Sequence, residues 1–443
     1  MAFGAERLAD ALADIDRGWR DGGACVAVSG GLDSAALLHA LAALARAGGF
    51  SLRALHVDHG LQRDSAAWAR SCRETCGNLG VPLRVLSLGL EPPPGSSVEA
   101  LARESRYAAL AAELRDGERL LTAHHRDDQL ETVLIQLLRG SGVAGLAAMP
   151  ARARLGAGWQ LRPLLGVDRA ELREYADGHG LGWHEDPMNE SLRFDRGWLR
   201  ARVLPAVLAR WPSAASTVSR SAAHLAEASR LLADVAAADA DGMLDAGRLS
   251  VDGLGRLSRE RQVNVLRWWL REQGLRPPPA AKLCEGLAEF LAARPDGAPL
   301  LRWDDGEVRR YRGRLYAGSP VPKLPASVPL GEGPALELGA GLGSFGLVES
   351  REGGLRAPLS GALELRFRAG GESLRPHPGR PRKRLKDLCQ EAGIVPWMRE
   401  RLPLVFVGGR LAAVGDLWID SEFAAPPGPP ALKPVWSGRP RIY

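Results

Sequence analysis

Over roughly its first 212 residues the chain alternates short apolar runs with longer stretches of helical spacing. ACVAVS (24–29), LRALHV (52–57), LRVLSL (83–88) and RLLTA (119–123) have the length of strands, while helices are expected from Ser34, around 63–79, from about 97 and through LETVLIQLL. Strands separated by helices of about ten to fifteen residues cannot be joined as hairpins, so the pattern predicts α/β architecture: a doubly wound parallel sheet covered on both faces. In such sheets ligands bind beyond the carboxyl ends of the strands. The loops after Val28, Val57 and Ala123 are therefore where chemistry is expected.

The pattern changes further along. Residues 213–317 are rich in Ala, Leu and Arg and include LSRERQVNVLRWWLREQGL, which predicts a helical accessory domain with a hairpin turn at Asp305-Gly306. A Pro- and Gly-rich linker is expected over 318–334, then a mostly β domain over 335–443 with one helix near 384–392. At 443 residues and 45% hydrophobic, the chain can give each domain its own core.

Composition excludes several classes. The N-terminal MAFGAERLADALADIDRGW mixes acids and arginines instead of showing a basic-then-apolar leader, and no later apolar run reaches membrane-spanning length, so neither export nor a membrane partner is expected. The five cysteines, Cys25, Cys72, Cys76, Cys284 and Cys389, include no C-x-x-C pair, which argues against a zinc ribbon or a disulfide framework and for a reducing cytoplasm. The formal charge is +6, and residues 366–386 alone carry eight Lys or Arg against one Glu. A patch this dense suggests a polyanionic partner. The first lysine is Lys282, so nothing before it can use a lysine to hold phosphate.

The loop after the first strand reads Ser29-Gly30-Gly31-Leu32-Asp33-Ser34. Backbone N–H groups at a helix N-terminus attract anions, glycines let a phosphate approach, and the two serines add donors. The loop is shorter than G-x-x-x-x-G-K-[ST] and lacks its lysine. Asp33 would repel phosphate unless a cation lay between them, which implies Mg²⁺ bridging carboxylate and phosphate oxygens. A tight Gly-Gly turn with Asp33 or Ser34 as a helix cap is the alternative for the same residues.

SGGLDS resembles the pyrophosphate loop of the N-type ATP pyrophosphatases, which cleave ATP between its α and β phosphates and pass AMP to an acceptor oxygen. That resemblance implies that Ser29, Gly30, Gly31, Leu32, Asp33 and Ser34 bind ATP. LHVDHGLQ (55–62), SSVEALARESRY (96–107), TAHHRDDQLETVLIQLLRGSG (122–142) and WHEDPMNESLRFDRGWLRARVLP (183–205) together resemble the tRNA(Ile)-lysidine synthetase family, as do FRAGGESLRP, RLKDLCQEAGIVPWMRERLPLVF and LAAVGDLW in the C-terminal region. The resemblance implies ligation of L-lysine to C2 of the wobble cytidine of a CAU anticodon, with ATP as co-substrate and tRNA(Ile) as partner. A homodimer is a further expectation at the level of the family.

Helical spacing sets Asp127, Asp128 and Glu131 along one side of a helix, beside His125. A lysine ammonium with pKa about 10.4 costs roughly 4–5 kcal/mol to present neutral at pH 7, so carboxylates are needed to bind it and then to take its proton. The resemblance points to Asp128 and Glu131 for lysine; Asp127 is left open between lysine and the metal expected at Asp33. His56, Asp58 and His59 follow a strand end and are candidates for nucleotide or base contact; Arg103 and Arg106, three apart, for the α phosphate. Gly140-Ser141-Gly142 is either substrate contact or a helix C-cap. The resemblance gives Asp186 and Asn189 a substrate-side role. Arg196 and Arg200, with Arg380, Arg382, Lys383, Arg384 and Lys386 and the nearby Trp397, Trp418 and His377, are expected to meet tRNA. The chain departs from the family pattern Arg-Asn-x-x-Arg in one place, reading Arg196-Gly197-Trp198-Leu199-Arg200. The alternatives are a tRNA cytidine thiolase built on the same loop, a small-molecule amidating synthetase, and a non-catalytic ATP-dependent RNA-binding module.

Overall fold

In the computed structural model the described residues are 2–60, 65–90, 98–185, 192, 194–294, 297–320, 327–330, 335–339, 341–359 and 362–440. The chain divides into two compact units, residues 1–234 and 235–443.

The first unit runs α1 (Ala5–Ile15), β1 (Ala24–Ala27), α2 (Leu32–Gly48), β2 (Leu52–Asp58), α3 (Ser65–Asn78), β3 (Leu83–Ser87), α4 (Val98–Glu113), β4 (Arg119–Leu121), α5 (Arg126–Leu138), α6 (Val143–Leu146), β5 (Arg152–Leu155), β6 (Gly158–Leu161) and α7 (Arg169–Gly178). Its sheet has the order β3-β2-β1-β4-β6-β5. All neighbours pair in parallel except β5 and β6. The four strands expected from the apolar runs form the parallel block β3-β2-β1-β4, with β3 at one edge, while the antiparallel hairpin β5–β6 extends the other edge unforeseen. Period-two alternation sends Cys25, Leu55 and Leu120 into one core with Leu110 of α4 and Leu114 just beyond it. Ala24, Val26, Ala54 and Leu121 enter the other core with α1, α2, α3 and α7. Both faces are thus covered, which is why these strands read as nearly continuous apolar runs.

Strand order places the site. The chain leaves β1 toward β2 on one side, and β4 lies on the other, so the crevice between the ends of β1 and β4 is the topological switch point. α2 anchors that point. Leu37, Leu38 and Leu41 are fully buried, each contributing roughly 1.5–3 kcal/mol, and the helix ends at Gly49, whose φ of 63° suits a left-handed cap.

After α7 come the short helix Asp195–Trp198, a π-helical turn Leu199–Val203 and the helix Leu204–Arg210, followed by the long helix Ala214–Asp239. In the second unit Trp269, Leu270, Leu283, Leu287 and Phe290 from two helices pack on a five-stranded antiparallel sheet. The expected turn at Asp305-Gly306 joins Leu300–Trp303 to Gly306–Tyr311. Three more strands complete that sheet, two of them too short to read from an apolar pattern. The rest of the unit is β-rich, with two further five-stranded sheets around one core and a helix at Leu385–Glu391. The two regions expected as separate domains touch within this unit. Trp397 packs edge-on against Tyr311 and Tyr316, 6.2 and 5.2 Å between ring centroids, with Arg309 over its face.

Candidate active site

The loop from β1 to α2 is tied to itself. Ser34 Oγ donates to the Gly31 carbonyl at 2.9 Å and lies 3.2 Å from the Ser29 N–H and 3.1 Å from Ser29 Oγ. Gly30 has φ +86°, and a Cβ there would sit 3.2 Å from Cys72 Sγ. His56 supports the loop from beneath. It is buried, with Nδ1 2.8 Å from the Val28 carbonyl, and because a carbonyl only accepts, Nδ1 carries the proton. His56 thus sets the residue that opens the loop, while His59 is half-buried beyond β2. Asp58 accepts the Gly60 N–H at 2.9 Å.

Across the switch point, β4 runs into His124-His125 and α5. Asp128 accepts the backbone N–H of His125 at 3.0 Å, closing the first turn. The His125 ring is surrounded by carboxylates: Nε2 is 3.6 Å from Asp33 and 3.5 Å from Asp128, and Nδ1 is 3.5 Å from Asp127. Burial works against charging this ring, but Asp127, Asp33 and Asp128 outweigh it and lift its pKa to about 10. His125 is therefore a cation that allows three acids to converge. Asp127 is correspondingly held down to about 2, by His125 and then by the Arg169 N–H, which it accepts at 3.0 Å. Asp33 lies below the usual carboxylate range because His125, Arg169 and Arg200 overcome its burial.

One oxygen stands out. Asp33 Oδ1 is buried and has no hydrogen-bond partner, only the Arg169 Nε 3.6 Å away, and is the kind of atom a metal ion would satisfy. Among the described residues no three His, Cys, Asp or Glu side chains are arranged to hold a metal ion by themselves. Mg²⁺ asks for less, usually one or two carboxylates completed by phosphate oxygens and water, so Asp33 and Asp127 fit it.

Glu131 lies one turn beyond Asp128, and both are buried. Arg200 covers them from the π-helical turn, with Nε on Glu131 Oε1, Nη2 3.0 Å from Oε2 and Nη2 3.1 Å from Asp128 Oδ1. Burial raises the Glu131 pKa, and Arg200 offsets this only in part.

A basic cluster, which sequence reasoning saw only through Arg103 and Arg106, gathers around Tyr107 and Gln160. Arg103 and Arg106 lie over the Tyr107 ring at 5.2 and 5.5 Å, and Gln160 ties Tyr107 (3.4 Å) to Thr122 (3.0 Å) and accepts from the buried Arg162 at 2.6 Å. Burial, with Arg162, Arg103 and Arg106, holds His124 neutral with a pKa of about 3. Burial and the neighbouring Arg103 and Arg196 also lower the Arg106 pKa. Among the described residues no carboxylate pairs with Arg103 or Arg106. Arg162 announces itself only by following a strand, and Arg169 only by opening a helix.

Other expected residues divide. Arg196 makes one long hydrogen bond, 3.3 Å to Thr132 Oγ1. Gly197 is buried while Trp198 is exposed, so the departure from the family asparagine falls on the packed side of its helix. Gly140 has φ +70° and closes α5 as a cap. Asp186 and Asn189 lie outside the described residues. In the second unit Arg382 turns inward to the fully buried Asp420 at 2.9 Å, and Lys383 pairs with Glu391 at 2.5 Å. Arg380, Arg384 and Lys386 are exposed, with no ion pair among the described residues. Burial pushes the thiols of Cys72 and Cys76 to about 11 and about 12, so neither is a thiolate at neutral pH, which disfavours sulfur transfer through them.

Comparison with known proteins identifies the family. Three family descriptions match: "PP-loop domain" over residues 5–207, "TilS substrate binding domain" over 249–316 and "TilS substrate C-terminal domain" over 363–436. The tRNA(Ile)-lysidine synthase of Alkalilimnicola ehrlichii is 45% identical over 92% of both chains. Those of Methylococcus capsulatus (42%, covering 91% of this chain and 93% of the relative) and Pseudomonas aeruginosa (43%, covering 93% and 92%) are close behind. With its ATP-pyrophosphatase loop, its carboxylate pair and this identity along nearly the whole length, the chain belongs to the tRNA(Ile)-lysidine synthase family of ATP-dependent PP-loop ligases.

Proposed function

We propose that this enzyme joins L-lysine to C2 of the wobble cytidine in the CAU anticodon of tRNA(Ile), consuming ATP and releasing AMP and diphosphate. The carrying observation is the convergence of Ser29–Ser34 with Asp33, Asp127, Asp128 and Glu131 at one strand switch point. The cytosine O2 attacks the α phosphorus of ATP and the bond to diphosphate breaks. The lysine amine then attacks C2, and the C2–O bond breaks with departure of AMP. Adenylation is what makes that oxygen a good leaving group.

Each residue has a place in this scheme. The loop amides and the Ser29 and Ser34 hydroxyls hold the diphosphate. Mg²⁺ held by Asp33 and Asp127 would neutralise charge on the departing diphosphate. His125, within 3.5–3.6 Å of Asp33, Asp127 and Asp128, positions these acids. Asp128 and Glu131 bind the lysine ammonium, and Glu131, with its raised pKa, accepts the proton the amine must lose. Arg103 and Arg106 stabilise the α phosphate. Arg196 and the free cations Arg380, Arg384 and Lys386 contact tRNA, with residues 335–443 as an RNA-binding region. The five cysteines are all free, in keeping with a reducing cytoplasm, and a homodimer is the proposed assembly.

Turnover tests the reading. Incubation with ATP, Mg²⁺, labelled lysine and a tRNA bearing CAU should give AMP and labelled tRNA in equal amounts. ADP release, or unlabelled tRNA, would reject it.

A further inference from the structure

We propose that Arg200 is a built-in occupant of the amine site, filling the Asp128–Glu131 pair until lysine displaces it, so that the site is closed when the protein is empty. This rests on the reading of that pair as the lysine-binding site.

The argument begins with the carboxylates. Glu131 retains 2% of its side-chain exposure and Asp128 11%, whereas Arg200 retains 36%. Two buried acids are covered by a cation reachable from outside. An empty, desolvated pair of like charges is unfavourable, so it needs a positive group whenever substrate is absent. Arg200 supplies it through three contacts, from Nε to Glu131 and from Nη2 to both Glu131 and Asp128. An ammonium carries three N–H donors and calls for the same oxygens. The guanidinium stands on the oxygens the ammonium needs, so on this proposal the two compete for them.

The backbone gives Arg200 a way out. It lies in the π-helical turn Leu199–Val203, between the α-helical segments Asp195–Trp198 and Leu204–Arg210. A π turn holds one residue more than an α turn, and such turns recur at functional sites. Moving the extra residue along the helix rotates a side chain by about 100°. That rotation would carry the guanidinium off the acids without unfolding either segment.

The test is equilibrium dialysis of the full-length chain with labelled L-lysine, without nucleotide or RNA. Arg200→Ala, and Arg200→Met, which keeps the aliphatic stem, should each bind lysine at least about tenfold more tightly than the parent, as expected if the site is open in roughly a tenth of parent molecules. Adding Glu131→Gln to Arg200→Met should abolish the gain. Unchanged or weaker lysine binding in both Arg200 variants would overturn the proposal. Lysine incorporation undiminished in Asp128→Asn and Glu131→Gln would instead overturn the underlying site assignment, and this proposal with it.

Discussion

Gly30 turns the chain at φ +86°, a conformation that costs a residue with a Cβ roughly 1–2 kcal/mol, and its missing side chain leaves 3.2 Å to Cys72 Sγ. Gly30→Ala should therefore weaken ATP binding through two separable effects. Combining it with Cys72→Ala relieves the contact and leaves the backbone penalty. Nucleotide titration should show partial recovery in the double variant; full recovery would mean that space alone mattered. At this scale the sequence was informative about Ser29–Ser34 because glycine and hydroxyl chemistry is local. It was less so for His56, whose ring faces the Val28 carbonyl beneath the loop, since nothing in LHVDHG says which way the ring points.

Among the elements, a single ion pair spans β1. Arg53 of β2 donates Nε and Nη2 to Glu118, just before β4, at 2.7 and 2.6 Å, and β1 runs between those two strands. Burial raises the Glu118 pKa, but Arg53 and the Arg115 N–H overcome it, so it lies below the ordinary 4.5. A depressed carboxylate stabilises the fold above its unfolded pKa and loses that contribution as pH falls through its folded value. Glu118→Gln should cost roughly 1–3 kcal/mol at pH 7 by taking the carboxylate from the half-buried Arg53, which keeps its hydrogen bond to the Glu113 carbonyl. Denaturation series should show the difference from the parent shrinking as pH drops below 4.5. The central strands β1 and β4 were legible because burial on both faces makes them largely apolar, and the edge strand β3 because its length and spacing repeat theirs. The β5–β6 hairpin was not, since four-residue strands such as RARL carry arginines, and only the Gly156 turn, φ +53°, marks it.

On the scale of the whole molecule, charge on the second unit separates into committed and uncommitted cations. Arg382 and Lys383 are engaged by Asp420 and Glu391, whereas Arg380, Arg384 and Lys386 stand exposed. Replacing those three with alanine should reduce the slope of log affinity for tRNA against log salt by roughly 2–3. Arg382→Ala should act differently, lowering thermal stability by leaving the buried Asp420 carboxylate only the Arg375 and Glu422 N–H groups. Equal salt slopes for the parent and the triple variant would refute the assignment. A patch of eight cations is visible in sequence, but which of them already have partners depends on acids some 40 residues downstream for Arg382, brought near only by the fold.

The group that covers Asp128 and Glu131 is a guanidinium, and the entire first unit is free of lysine. An enzyme that renders a base carbon electrophilic endangers itself, because any tethered primary amine nearby could be captured in place of the dissolved amino acid. Arginine stays protonated and inert throughout the neutral range, so it can mimic the substrate's charge without undergoing the substrate's reaction.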